Sequence, residues 1–209
     1  MNVVALDLEG VLVPEIWIGV AERTGIEALR LTTRDIEDYD ELMQRRLGVL
    51  DEHRLVLGDI EAVIATLDPL EGAADFLARL REHMQVVILS DTFYQFAGPL
   101  MHKLGWPALW CHRLEVEVDG RISGYRLRQQ DPKRRAVEAL RGLNFRVLAV
   151  GDSYNDVNML QAANAGIFFR PPPRISQEYP QFPVVASYVE LDDALARARR
   201  AWDGEGGAG

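Results

Sequence analysis

An α/β fold built on an open, mostly parallel sheet is what this sequence predicts, and three observations predict it. Short apolar runs rich in β-branched residues recur at Val3–Leu6, Val86–Leu89, Arg146–Val150, Gly166–Phe169 and Val184–Ala186. Runs that are apolar throughout suit strands covered on both faces. Helical patterns separate most of them, and strands alternating with helices give a parallel sheet. Finally, polar acid-rich segments follow directly after several of the runs, at the strand ends where open α/β sheets bind ligands.

Along the chain, Val3–Leu6 is the first strand. About Pro14–Leu67 then carries helical patterns only, with breaks near Thr32-Thr33 and Gly58-Asp59. That is too long for a simple crossover and predicts a helical insertion over one end of the sheet. A helix over Gly72–His83 leads into the strand Val86–Leu89, and a helix over Phe93–Leu104 follows. Glu115-Val116-Glu117-Val118 and Ile122–Leu127 flank Asp119-Gly120, a common hairpin-turn pair, so Leu114–Leu127 predicts a small β-hairpin flap. Asp131-Pro132-Lys133 opens a helix running to Leu143. The strand Arg146–Val150, the helix Asn155–Ala163, the strands Gly166–Phe169 and Val184–Ala186, and the helix Leu191–Trp202 complete the fold. The basic run Arg197-Ala198-Arg199-Arg200 reads as a solvated face near that helix's C-terminus, where the dipole favours cations. The expected division is a catalytic core of residues 1–13 and 70–202, a helical cap of residues 14–69, and a flexible glycine-rich tail of residues 203–209.

Composition removes several function classes. A chain of 209 residues fits one large domain, or a core domain with an insertion. With 48% hydrophobic and 26% charged residues it is ordinary globular material with ample core. A formal net charge of −9 repels phosphate backbones, which excludes nucleic acid as a general partner. Met1–Asp7 has no basic region ahead of its apolar run, and charge interrupts every apolar run before a membrane-spanning length. The expectation is a soluble, cytoplasmic protein without a membrane partner. The lone cysteine, Cys111, allows no intramolecular disulfide and fits a reducing compartment.

The chemistry lies in Asp7-Leu8-Glu9-Gly10-Val11, Ser90-Asp91-Thr92, Asp131-Pro132-Lys133 and Gly151-Asp152-Ser153-Tyr154-Asn155-Asp156. A single Asp at a strand end is ordinarily a helix cap. Several such segments at the same end of one sheet are not explained that way. Asp7, Asp152 and Asp156 converging at one edge would repel each other, and a hard divalent cation such as Mg²⁺ relieves that repulsion. A carboxylate held there can attack phosphorus and form an aspartyl phosphate. Lys133 and the Ser90 hydroxyl would hold the phosphoryl oxygens. A second carboxyl group two residues from the nucleophile, Glu9, can protonate the leaving oxygen and then deprotonate water.

These motifs, in this order and spacing, resemble those of the haloacid dehalogenase (HAD) superfamily. The helical insertion is similar to that superfamily's first cap type. Nearly the whole chain, including Glu71-Gly72-Ala73, resembles the phosphoserine phosphatases, nearest to bifunctional members that also transfer the phosphoryl group to homoserine. The resemblance implies a HAD-like Rossmannoid core and Mg²⁺ as cofactor. It implies that Asp7 is nucleophile and metal ligand, and that Glu9 supplies a backbone carbonyl to the metal and a side-chain acid/base. Most of the superfamily's phosphatases carry Asp where this chain has Glu9. Ser90 and Lys133 match the phosphate-holding pair, with Asp91 beside Ser90, and Asn155 matches a residue near the substrate phosphate. Asp152 matches a direct metal ligand, and Asp156 one that acts through metal-bound water or by orienting Lys133. Serine and threonine biosynthesis is the implied setting.

Substrate choice falls to the insertion. Glu15 is the sole charge between Gly10 and Ala21. It is either a solvated residue after Pro14 or an anion facing a substrate ammonium group. Leu42, Met43, Leu47 and Leu50 form one helical stripe, with Arg46 inside it and Arg45 on the polar side. A snorkelling arginine or a grip on a substrate carboxylate both fit that position. Glu15 and Arg46 also sit where phosphoserine phosphatases carry their amino-acid-binding pair, which favours function for both. His53, His83, His102 and His112 lack metal-ligand spacing and read as helix-surface or loop residues. Cys111 reads as a buried small residue, and Trp17, Trp106, Trp110 and Trp202 as packing. The expected activity is hydrolysis of small-molecule phosphoserine, with transfer to homoserine. The alternatives are another small phosphomonoester, or a phosphate-binding protein without turnover.

Overall fold

The computed structural model describes residues 1–32, 35–36 and 38–205. Thr33, within the expected first break of the insertion, lies outside the described residues, as do residues 206–209 of the tail.

The first strand, β1 (Asn2–Leu6), is followed by the insertion: α1 (Ile16–Thr24), a 3-10 turn (Glu27–Arg30), α2 (Tyr39–Glu52) and α3 (Leu57–Ala65). The chain continues through α4 (Ala73–His83), β2 (Gln85–Phe93), α5 (Tyr94–Lys103), β3 (Ala108–Val116) and β4 (Ile122–Arg126). Then come α6 (Pro132–Gly142), β5 (Arg146–Gly151), a 3-10 turn (Tyr154–Asp156) and α7 (Val157–Ala162). The chain closes with β6 (Ala165–Phe169), α8 (Pro173–Glu178), β7 (Val184–Val185) and α9 (Tyr188–Glu205).

The strands form one seven-stranded sheet in the order β4-β3-β2-β1-β5-β6-β7. Every pairing is parallel except that of β3 with β4. The chain first builds outward from β1 on one side, then returns to lay β5 on the other. The crevice at such a reversal is where open α/β sheets place ligands. Alternate residues of β1 face opposite sides. Val4 and Leu6 join a core with Ile88, Val150, Phe76, Phe96 and the insertion's Ile16, Met43 and Ile60. Val3 and Ala5 join a second core with Val87, Leu89, Ala149, Val137 and Leu160. The insertion therefore shares the core of one sheet face.

Several boundaries differ from expectation. β2 continues to Phe93, with a register irregularity between Leu89 and Phe93, so Ser90-Asp91-Thr92 occupy its bulged end. The predicted hairpin is present, but its first strand begins at Ala108 and pairs with β2 in the main sheet. The run Ala108–His112 mixes Trp, Cys and His and lacks the aliphatic character that marks the central strands. Trp106 is 63% exposed and Trp110 36%, so neither is a core residue, whereas Trp17 packs edge-on against Phe96. The short helix α8 was not anticipated, and α9 runs through Glu205 into the expected tail.

Two ties join the hairpin to the insertion. Leu57 N–H donates to Gly120 O at 2.8 Å, and the Tyr125 hydroxyl donates to the Asp40 carboxylate. At the other end of the chain, Tyr188 stacks between Phe76 and Phe169, and its hydroxyl donates to Val11 O at 2.7 Å. Among the described residues, no helix is long and apolar enough to cross a membrane.

Candidate active site

The polar strand ends converge at the reversal between β1 and β5. Asp7 N–H donates to Val150 O at 2.9 Å, carrying the β1–β5 ladder one residue past β1 and fixing where the Asp7 carboxylate emerges. Gly10 then turns the chain with φ 75°, and a Cβ there would sit 2.3 Å from Asp152 Oδ2. Glycine is required for the motif's loop to pass that close to the carboxylate.

Lys133 enters from the first turn of α6, with Pro132 ahead of it where a missing N–H costs nothing. Its Nζ lies 2.9 Å from Asp7 Oδ1, 2.8 Å from Asp156 Oδ1 and 3.5 Å from Asp91 Oδ2. Burial alone would lower the lysine's pKa. Asp156, Asp7 and Asp91 outweigh it and hold the ammonium group charged, well above the usual lysine range. Asp156 is fully buried, and its other oxygen accepts from the backbone N–H groups of Asp152 (3.0 Å) and Ser153 (3.2 Å). Asp156 thus ties Lys133 to the loop that presents Asp152.

One lysine does not balance the carboxylates around it. Burial, then repulsion from Asp156, push Asp7 well above the usual carboxylate range. Burial, Asp156 and Glu15 push Asp152 up to about 7. Oxygens of Asp7, Asp152 and Asp156 lie within 4.8 Å of one another. Hard oxygen donors with surplus negative charge suit Mg²⁺, so the residues present fit the expected cofactor.

Asp91 and Ser90 reach the cluster from the bulged end of β2. Ser90 is buried, and its Oγ accepts from Thr92 N–H at 3.2 Å. Asp91 Oδ2 accepts from Asn155 Nδ2 at 3.1 Å. Burial works against the Asp91 carboxylate, but Lys133, His112 and Asn155 hold its pKa well below the usual range.

The family profile described as haloacid dehalogenase-like hydrolase matches residues 1–164. Phosphoserine phosphatase ThrH of Pseudomonas aeruginosa (strain PAO1) is 59% identical over 198 residues, which is 95% of this chain and 97% of that protein. This chain belongs to the phosphoserine phosphatase family of HAD-like hydrolases. A phosphoserine phosphatase of Pseudomonas syringae pv. tomato is 58% identical, covering 95% of this chain and 84% of that one. A substrate-bound phosphoserine phosphatase complex superposes with a TM-score of 0.74 at 19% identity, covering 94% of this chain and 97% of that one, a likeness of fold.

Family membership directs attention to the insertion's face of the site. Arg45 is exposed and Arg46 is 7% exposed, as the helical stripe predicts. Arg46 Nη2 donates to Leu31 O at 2.8 Å, and its guanidinium lies 4.6 Å from the Trp17 ring centre. Among the described residues its Nε is buried without a hydrogen-bond partner. Burial lowers its pKa to about 10, opposed by Glu9, Tyr39 and Glu15. Glu9 accepts from Ile16 N–H at 3.2 Å, and burial together with its contact to Glu15 raises its carboxyl to about 8. Glu15 is exposed, and its contact with Glu9 places it at the same opening. The structure therefore gathers Asp7, Asp91, Lys133, Asp152, Asn155 and Asp156 into one cluster, with Ser90 buried next to Asp91 at the end of β2. Glu9, Glu15 and Arg46 form a group beside it.

Two residues here escaped sequence reasoning. Tyr39, at the start of α2, donates from its hydroxyl to Asp91 O at 3.3 Å. Burial, then Asp91, raise the pKa of that hydroxyl. His112, read from sequence as a loop or surface residue, is 2% exposed on β3 with Nε2 3.6 Å from Asp91 Oδ1. Neither carries a local signal, because the partner of each is distant in sequence.

Proposed function

We propose that this chain is a Mg²⁺-dependent phosphoserine phosphatase that forms an aspartyl phosphate on Asp7 and passes the phosphoryl group to water or to homoserine. The observation that carries this reading is Arg46, a buried guanidinium with an unpartnered Nε beside the Glu9–Glu15 pair. A buried donor without a partner is costly, and a carboxylate is its strongest acceptor. Glu15 supplies an anion for an ammonium group. A ligand bearing both groups on one carbon, with a phosphoryl group on a short arm, meets Arg46, Glu15 and Asp7 together. O-Phospho-L-serine is such a ligand, and the names of the 59% and 58% identical relatives support it.

In this reading Lys133 Nζ and Ser90 Oγ hold the phosphoryl oxygens, with Asn155 beside them. An Asp7 carboxylate oxygen attacks phosphorus, and the bond from phosphorus to the serine oxygen breaks. Glu9, still protonated at neutral pH with a carboxyl near 8, gives its proton to that oxygen. Glu9 then takes a proton from water as the water attacks phosphorus. Phosphate departs and Asp7 is restored. Asp7, Asp152 and the Glu9 backbone carbonyl would hold Mg²⁺, which when bound neutralises charge on the phosphoryl group. Asp156 keeps Lys133 in place from behind. Residues 14–69 act as a cap over the core of residues 1–13 and 70–202. A cytoplasmic setting belongs to this reading, in line with the lone buried thiol of Cys111.

Homoserine carries the same ammonium and carboxylate as serine, with one more methylene before its hydroxyl. Held by Glu15 and Arg46 after serine leaves, it gains from proximity over water. Glu9, one methylene longer than Asp, reaches the larger acceptor. The test is phosphorus NMR of O-phospho-L-serine, Mg²⁺ and enzyme, with and without millimolar homoserine. Inorganic phosphate without homoserine, and phosphohomoserine with it, are the expected products, and Glu9→Asp shifts the second mixture toward phosphate. Phosphate alone in both mixtures removes the transferase half. No turnover of phosphoserine beside turnover of another phosphomonoester removes the substrate assignment.

A further inference from the structure

We propose that His112 is a positioning residue for phosphoryl transfer: it fixes the Asp91 carboxylate, which in turn aims Lys133 and Asn155 at the phosphoryl oxygens. The inference rests on the phosphatase reading and adds to it a residue from outside the motifs.

Asp91 stands where four elements meet. Its Oδ2 faces Lys133 Nζ of α6 at 3.5 Å and accepts from Asn155 Nδ2 of the 3-10 turn at 3.1 Å. Its backbone carbonyl accepts from the Tyr39 hydroxyl at the start of α2. Its Oδ1 faces His112 Nε2 of β3 at 3.6 Å. The two carboxylate oxygens are thus divided, one toward the phosphate-holding groups and one toward histidine. A carboxylate turns about its terminal bond through a broad, soft range unless its partners stop it. The histidine supplies that stop on the side away from Lys133.

The imidazole is itself held. Arg128 N–H donates to His112 Nδ1 at 3.0 Å, so a neutral ring carries its hydrogen on Nε2, the nitrogen that faces Asp91. The Phe93 ring lies 6.3 Å away, centre to centre, and Phe93 and His112 are register partners across β2 and β3. Both backbone groups of Leu114 bond the Gln95 side chain, at 3.0 and 3.1 Å, which locks the register of β3 just beyond His112. A buried histidine with a fixed tautomer, braced on both sides and pointed at one carboxylate oxygen, is the geometry that orients a catalytic partner. Lys133 already has Asp7 and Asp156 at 2.9 and 2.8 Å. The Asp91 contact sets the direction in which its third hydrogen points.

The discriminating variant is His112→Asn, whose side-chain oxygen can still accept from Arg128 N–H while its amide stops short of Asp91. Phosphate release from O-phospho-L-serine is measured with Mg²⁺ for wild type, His112→Asn, Asp91→Asn and the double variant, with circular dichroism to verify folding. The expected result is a tenfold or greater fall in kcat for His112→Asn, with KM changed less than threefold. Asp91→Asn should fall at least as far, and the double variant no further than Asp91→Asn alone, because contacts in one chain of action are not additive. His112→Gln, which reaches Asp91 with an N–H donor, should recover most of kcat, and if His112→Asn does not fold, His112→Gln against Asp91→Asn carries the comparison. Additive losses, a loss confined to KM, or no gain from Gln over Asn would overturn the role of His112 while leaving the phosphatase reading intact. A wild-type enzyme inactive on every phosphomonoester would instead remove that reading, and this proposal with it.

Discussion

Replacing Asp152 by asparagine should stabilise the fold when no metal is bound. Burial, Asp156 and Glu15 raise the Asp152 carboxyl from 3.8 to about 7, so the folded site resists its ionisation. Below pH 3.8 the carboxyl is protonated whether the chain is folded or unfolded, and it costs nothing. Between that value and about 7 the unfolded chain ionises first, so stability falls as pH rises. Above about 7 the whole cost is present, about 4 kcal/mol at ~1.4 kcal/mol per pH unit. Asparagine keeps the shape that fits against Gly10 and removes the charge. Urea unfolding followed by circular dichroism at pH 8, with chelator present, should give Asp152→Asn a higher midpoint than wild type, and at pH 4 the gap should nearly close. Mg²⁺ at one hundred times its dissociation constant should stabilise wild type by about 2.7 kcal/mol and the variant by much less. Equal midpoints at pH 8, or a gap unchanged between pH 4 and pH 8, would refute the reasoning that burial and repulsion from its neighbours make the Asp152 charge costly.

Asp7→Asn should abolish phosphate release while leaving the circular dichroism spectrum unchanged, because the amide has no anion with which to attack phosphorus; turnover near that of wild type would exclude a covalent intermediate on Asp7. Arg46→Ala should reduce kcat/KM for phosphoserine at least tenfold more than for phosphoethanolamine, in line with about 1.5–3 kcal/mol for a charge-assisted hydrogen bond; equal losses on the two esters would make Arg46 a support for its helix.

The strands β1, β5 and β6 were legible because each is buried on both faces and reads as an unbroken apolar run. The candidate site was legible because Asp7, Ser90, Lys133 and Asp152 each lie in a short motif at a strand end or helix start. Only the hairpin end of β3 was legible; its first half, which pairs with β2, was missed because Trp110 and His112 stand where Val or Ile would mark a central strand. The order of strands was not legible at all: which run pairs with β1 is decided by packing between segments more than eighty residues apart. Arg46 was found through helical periodicity, since a charge inside an apolar stripe is visible locally. His112 was missed because the reason for its burial, Asp91, lies on a neighbouring strand, and histidine spacing was weighed only against metal binding.

The hydrogen bond from Tyr188 to Val11 O makes the placement of the Asp7–Glu9 loop depend on a residue made much later in synthesis. The loop that presents Asp7 and Glu9 emerges first, and every other residue assigned to the site has emerged by Asp156. The side chain that braces that loop arrives 177 positions after Val11, on α9, stacked between Phe76 and Phe169. A chain cut at residue 164, where the family profile ends, would carry every residue assigned to the candidate site but lack this brace and strands β6 and β7. The loop that presents Asp7 and Glu9 is therefore braced only once α9 has docked across the sheet.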